Sequence, residues 1–317
     1  MQSFPTDAVG RLHIASDAPI VGIDVGENTL FLAIIAPGDT QVRFHEIDVA
    51  GAVAHSPDDP LARLADAIVA AAPILCRAGA VALIDSPRWP RDLDLSAAGL
   101  APKGRCHRDH PPGRIIDARL HRIVRAIRAG SPPRPVLGLW MFPTPPLEYF
   151  ARSAAAPRCP PHLTCLARAL FGGQHAARSG APAPTGGQTF TRFMLTGFAA
   201  FRALEAVGVA SFESYPDLVY RVWTRATTLI AKRRGKSHAL AARSMIVRAI
   251  AGELRIAIGG GLAGLDEADA AMLALGAAAA ARDGAIALIG APCEGRFALP
   301  LRSSDAAHVA FALALAD

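Results

Sequence analysis

Residues 20–25 form a short apolar run ending at Gly26, and a second run over 30–36 is closed by Pro37-Gly38. Two strands joined by a tight Gly-Glu-Asn turn are the simplest reading. A third strand over 41–49 carries Val42 and Phe44 and, after a slip in the alternation, Ile47 and Val49. Ser56-Pro57-Asp58-Asp59 then supplies an N-cap, a proline at the first helical position and acids that complement the helix dipole. Leu61, Leu64, Ala65, Ile68, Val69, Ala72 and Leu75 continue one helical face as far as Gly79. Residues 80–84 are continuously apolar, as a strand buried on both faces would be, and Asp85-Ser86-Pro87 breaks the run. Three strands, a helix and a fourth strand predict an α/β domain.

The pattern is less regular downstream. Residues 114–129 read as a helix with Ile116, Leu120, Ile123 and Ile127 on one side and Arg119, Arg122, Arg125 and Arg128 off it. From 131 to about 190 the chain is rich in proline and glycine and predicts an irregular insertion. A helix over 193–207 and a strand over 209–213 follow, the strand stopping at Tyr215-Pro216. A basic segment over 231–243 leads into a helix reaching about Leu254, Gly259-Gly260-Gly261 interrupts, and the last long helix spans 265–282. No internal repeat is visible. The expected organisation is an N-terminal tail over 1–20 and one domain over 21–317.

Composition narrows the class. The 317 residues are 51% hydrophobic, enough for a substantial core. Asp7, Arg11, His13 and Asp17 break up the N-terminal segment, so neither a signal peptide nor a membrane anchor is expected there. The longest apolar stretch, 268–281, contains Asp269 and is too short to cross a bilayer. A cytoplasmic protein is the expectation. Five cysteines without a C-x-x-C pair argue against a disulfide framework. The net charge of +6, carried almost wholly by arginine, suits a phosphate-bearing partner, although genome composition alone can enrich arginine.

Against this background the acids stand out. Asp24 ends the first strand, Asp85 follows the fourth, Glu213 ends a later strand, and Asp266 and Asp269 sit three apart at the start of the last helix. Acids so placed can converge on the carboxyl edge of a sheet, where open α/β folds hold their sites. Clustered carboxylates repel and require a cation, and Mg²⁺ or Mn²⁺ suits oxygen ligands. Two such ions can activate water and stabilise the leaving oxygen of a phosphodiester. Each acid also has an ordinary alternative: Asp266 as an N-cap, Asp85 as a turn former, Glu213 as an arginine partner. Lys232, Arg234, Lys236 and Arg243 are candidate phosphate contacts, with a solvated helix start as the alternative. Cys159, His162 and Cys165 are candidate zinc ligands, to which Cys106, His107 and His110 could be added, at an uncommon spacing; ordinary thiols are the alternative. Trp89, Trp140 and Trp223 can stack on bases or simply pack.

Six motifs in order carry a family resemblance: Gly22-Ile23-Asp24, Ile84-Asp85-Ser86-Pro87, Glu213-Ser214-Tyr215-Pro216, Lys232-Arg233-Arg234-Gly235-Lys236 with Arg243, Leu265-Asp266-Glu267-Ala268-Asp269-Ala270, and Glu294-Gly295-Arg296-Phe297-Ala298-Leu299-Pro300. Together they resemble the family known as domain of unknown function 429. The resemblance implies a ribonuclease H-like mixed sheet flanked by helices and a divalent-metal-dependent nuclease that hydrolyses DNA or RNA. The acids are also similar to those of Holliday-junction resolvases, which places metal-binding roles on Asp24, Asp85, Asp266 and Asp269, and Glu213 matches the family's Glu-x-Tyr-Pro. The sequence departs from the pattern where Arg88-Trp89-Pro90 replaces an expected glycine and where the middle is long. Two other functions compete. Asp24-Val25-Gly26-Glu27-Asn28-Thr29 resembles the first phosphate loop of actin-like and sugar-kinase ATP-binding proteins, with Gly259-Gly260-Gly261 on the adenosine side, but no second phosphate loop follows. A catalytically inactive nucleic-acid-binding scaffold is the other.

Overall fold

The computed structural model describes residues 10–54, 58–88, 150, 159–172, 188–224, 235–283, 286–289 and 297–302. The helix expected over 114–129, Cys106, His107, His110, Trp89, Trp140, Lys232 and Arg234 lie outside the described residues.

The fold is α/β, a mixed sheet flanked by helices. Its strands are β1 (Gly10–Arg11), β2 (Ile20–Val25), β3 (Thr29–Ile35), β4 (Gln41–Asp48), β5 (Val81–Ile84), β6 (Ala210–Glu213), β7 (Ala257–Ile258), β8 (Ile286–Ile289) and β9 (Phe297–Pro300). They follow the spatial order β1-β8-β9-β6-β5-β2-β3-β4-β7. β2, β3 and β4 form an antiparallel meander, while β2, β5, β6 and β9 run parallel, so their carboxyl ends share one edge. β2 and β5 are buried at every position, as their unbroken apolar runs require. β1, within the expected N-terminal tail, pairs antiparallel with β8.

β4 needs no slip. It pairs with β3 residue for residue, from Leu30 with Ile47 to Ile34 with Arg43. The alternation changes because the strand is buried on different faces along its length: Val42 joins one core, Ile47 the other. Past it, α1 (Val49–Ala54) is helical from Val49, where the strand was expected to end.

Helix α2 (Pro60–Ala71) starts later than Ser56-Pro57 predicts. Asp59 is its N-cap, the Oδ1 atom accepting the Ala62 amide at 3.2 Å, and Pro60 takes the first helical position. It also ends earlier, because Pro73 cannot donate to the helical ladder and opens a 3₁₀ turn over Pro73–Cys76 instead. The region expected to be irregular contains α3 (Pro161–Phe171), whose Leu163, Leu166, Ala167 and Phe171 form a buried stripe that the flanking prolines and glycines obscured. Further on, α4 (Gln188–Ala206) begins before residue 193. Pro216 ends the β6 connection and also opens α5 (Pro216–Thr224), as a proline at the first helical position can. The remaining helices, α6 (Lys236–Leu254) and α7 (Leu265–Asp283), match the two expected at the end of the chain. Among the described residues, no helix is long and apolar enough to cross a membrane.

Two cores result. One lies between the sheet and α5, α6 and α7; the other lies between the sheet and α1 to α4. The first is built around α7, which is alanine-rich and buried almost all round. Its approach to β2 is unusually close: a Cβ on Gly22 would collide with the Ala270 carbonyl oxygen and stand 2.7 Å from the Ala274 amide nitrogen.

Candidate functional site

Strand register decides which acids can meet. Ile23, Ile84 and Glu213 are paired across β2, β5 and β6, and paired residues project to the same face of a sheet. One residue further on, the Asp85 amide donates to the Ile23 carbonyl at 2.8 Å, and the Ser214 amide to the Ile84 carbonyl at 2.9 Å. Asp24 and Asp85 therefore stand at the carboxyl ends of neighbouring parallel strands. Asp24 shares its face with Gly22 and so lies under α7. It is 4% exposed.

The first turns of α7 extend over the same end of β2. Asp269 is buried there and ion-paired with the Arg243 guanidinium of α6, itself buried. Arg243 Nη2 also donates to Asp217 Oδ1 at 3.2 Å, and Arg221 Nε donates to Asp217 Oδ2 at 2.9 Å. Asp217 thus links two arginines across α5 and α6. The Arg243 guanidinium stacks on the Tyr220 ring at 5.1 Å, and the Tyr220 hydroxyl donates to the Ala268 carbonyl at 2.8 Å. Burial and then the neighbouring Asp269 push the Tyr220 hydroxyl well above its ordinary titration range; Arg243 opposes this, while Asp24 and Asp217 add to it. Tyr220 therefore remains a hydrogen-bond donor at neutral pH. Burial works against the charge on Arg243, but Asp269, Tyr220 and Asp217 outweigh it and hold the guanidinium above its usual value. Arg243 is thus a buried partner of two carboxylates, where the sequence suggested a phosphate contact. Its Nε has no partner among the described residues.

Asp266 lies within the first turn of α7, exposed, one residue past its start, so it is not the cap. The Glu267 carboxylate instead accepts the Ala263 amide at 2.6 Å. Glu213 faces away from this group. With Ser211 and Ile84 it points into the α4 side of the sheet, where its Oε1 accepts the Arg88 amide at 2.5 Å. Asp24 and Asp269 therefore share a face with the Arg243 network, and Glu213 does not join them.

Of the expected phosphate contacts, Lys236 is exposed in the first turn of α6. Trp223 is buried, donating from Nε1 to the Pro300 carbonyl at 3.1 Å and stacked on Arg302 at 4.9 Å, so it packs. Cys159 and Cys165 are free thiols, and burial lowers His162 below its usual range. Among the described residues, no group of three or more His, Cys, Asp or Glu side chains is placed to hold a metal ion.

Sequence reasoning missed Asp217, Tyr220 and Arg221. A helix-opening Pro216 followed by acid and arginine four residues apart was the available signal, but the chain stop at Tyr215-Pro216 hid it. No protein-family model, curated protein or solved structure matches this chain.

Proposed function

We propose that this chain is a ribonuclease H-like, divalent-metal-dependent phosphodiesterase acting on nucleic acid. The observation that carries the reading is the placement of Asp24 and Asp85 at the carboxyl ends of adjacent parallel strands, with the Asp269 turn of α7 above Asp24. The run β4-β3-β2-β5-β6, an antiparallel meander followed by two parallel strands, supports the fold assignment.

The donor set suits a hard cation of limited protein ligation. Mg²⁺ and Mn²⁺ take oxygen ligands, and Mg²⁺ is commonly held by one or two carboxylates plus substrate phosphate, so a three-residue cage is not required. Asp24 and Asp85 would hold the ion, and when bound it would polarise the phosphoryl group and supply an activated water. Asp269 and Asp266 sit at the α7 side of the same edge, but Asp269 already faces the Arg243 guanidinium. Arg243 thus offsets the repulsion between Asp269 and Asp24 and lets two buried acids coexist. Exposed Lys236 stands ready to meet backbone phosphates by charge alone.

The test is a cleavage screen over single-stranded, duplex, hybrid and branched DNA and RNA with Mg²⁺ or Mn²⁺. Wild type should cleave at least one class, and Asp24→Asn and Asp85→Asn should each abolish cleavage while remaining folded. Cleavage that survives both substitutions overturns the site. One observation favours a second reading: because Asp269 is committed to Arg243, the edge could bind nucleic acid without cutting it. Salt-sensitive binding with no metal-dependent cleavage across the screen would select that reading.

A further inference from the structure

We infer that Glu213 is a positioning residue that holds the loop presenting Asp85, and does not belong to the acids gathered under α7. The inference rests on the preceding reading only in giving Asp85 a working role. Its physical basis is strand parity. Glu213 is in register with Ile84 and Ile84 with Ile23, so all three project to the α4 side, whereas Asp24, one residue past Ile23, projects to the α7 side. The two side chains therefore leave the sheet on opposite faces.

What Glu213 does meet is the chain leaving β5. Its Oε1 accepts the Arg88 amide at 2.5 Å, three residues after Asp85. The other end of this short loop is tied as well, because the Asp85 amide donates to the Ile23 carbonyl at 2.8 Å. Between the ties, Ser86 is buried and packs on α4 so closely that a Cβ on Gly197 would collide with its hydroxyl. The Arg88 side chain reinforces the clamp: Nη1 donates to the Ser211 carbonyl at 2.9 Å, and the guanidinium stacks on Phe201 at 5.5 Å. Asp85 is therefore carried on a loop fixed by both its neighbours in the sheet and by the Glu213 carboxylate. A bond from a backbone amide to a carboxylate is short and strong, which suits a fully buried anchor.

A positioning acceptor and a reacting carboxylate respond differently to loss of charge. Glutamine keeps an oxygen where Glu213 Oε1 accepts the amide, so Glu213→Gln preserves the clamp; Glu213→Ala removes it. Both variants, with Asp85→Asn and wild type, should be compared in two measurements on the full chain: metal-dependent cleavage, and amide hydrogen exchange of peptides covering 85–88. Glu213→Gln should stay within about threefold of wild type in cleavage and keep native protection. Glu213→Ala should lose protection in this loop by about tenfold or more and lose cleavage with it. A Glu213→Gln variant that cleaves as poorly as Asp85→Asn, while retaining native protection, would overturn the inference. So would unchanged protection in Glu213→Ala. If wild type cleaves nothing, the proposed function fails, and the exchange comparison of Glu213→Ala with Glu213→Gln decides the clamp by itself.

Discussion

The two helical layers meet the same sheet in different ways. On one side α7 presents alanines to β2, and Gly22 lets helix backbone and strand backbone nearly touch. On the other, the layer of α3 and α4 packs through large side chains, with Phe198 at 4.9 Å from Phe150 and 6.3 Å from Phe171, ring centroid to centroid, in edge-on arrangements. Close approach brings the first turns of α7 over the end of β2, so Asp269 and Asp24 lie on the same side of the sheet, with Asp269 paired to the buried Arg243. On the α4 side the buried Glu213 accepts the Arg88 amide.

Cavity formation should separate the layers most sharply. Phe198→Ala should cost about 3–5 kcal/mol, because its stacked neighbours cannot close the space; denaturant unfolding measures it. A loss below about 1 kcal/mol would mean that this layer is as plastic as a surface.

Breaking the charge network comes next. Arg243→Met leaves Asp269 buried without its cation and should cost about 3 kcal/mol. Arg243→Met with Asp269→Leu should recover a large part of that, since two apolar groups remove the uncompensated charge. Additive losses in this double-mutant cycle would show that the pair is not coupled.

Gly22→Ala should be smaller but still unfavourable, about 1–3 kcal/mol, since α7 must move away from β2. It should also weaken the site more than its stability cost suggests, by displacing Asp269 from Asp24. A neutral melting temperature would contradict the close approach.

The smallest effect concerns pH. Burial, outweighing Asp48 and Glu27, holds the His162 imidazole of α3 below its usual value of 6.5. The unfolded chain therefore binds more protons below that pH, so this contribution to stability is present above 6.5 and is lost as pH falls through the folded value. His162→Gln should flatten the fall in melting temperature on that acid side. An unchanged profile would assign the acid sensitivity elsewhere.

The sequence by itself determined the α/β class, the approximate places of β2 to β6 and the terminal helices, because apolar runs and their punctuation are local properties. Ile20–Val25 and Val81–Ile84 announce burial on both faces without any knowledge of partners. Candidate acids at element ends were legible for the same reason. Helix limits were less so: Asp59-Pro60 displaced Ser56-Pro57 as the start, and α3 was concealed by its flanking prolines. Only the tertiary structure decided which acids share a face. That depends on register between strands distant in sequence, which sets Glu213 beside Ile84 and opposite to Asp24. It also depends on Gly22 admitting α7 and on Asp217, Tyr220 and Arg243 meeting from two helices, contacts that no local pattern specifies because each is made across the core by residues remote along the chain.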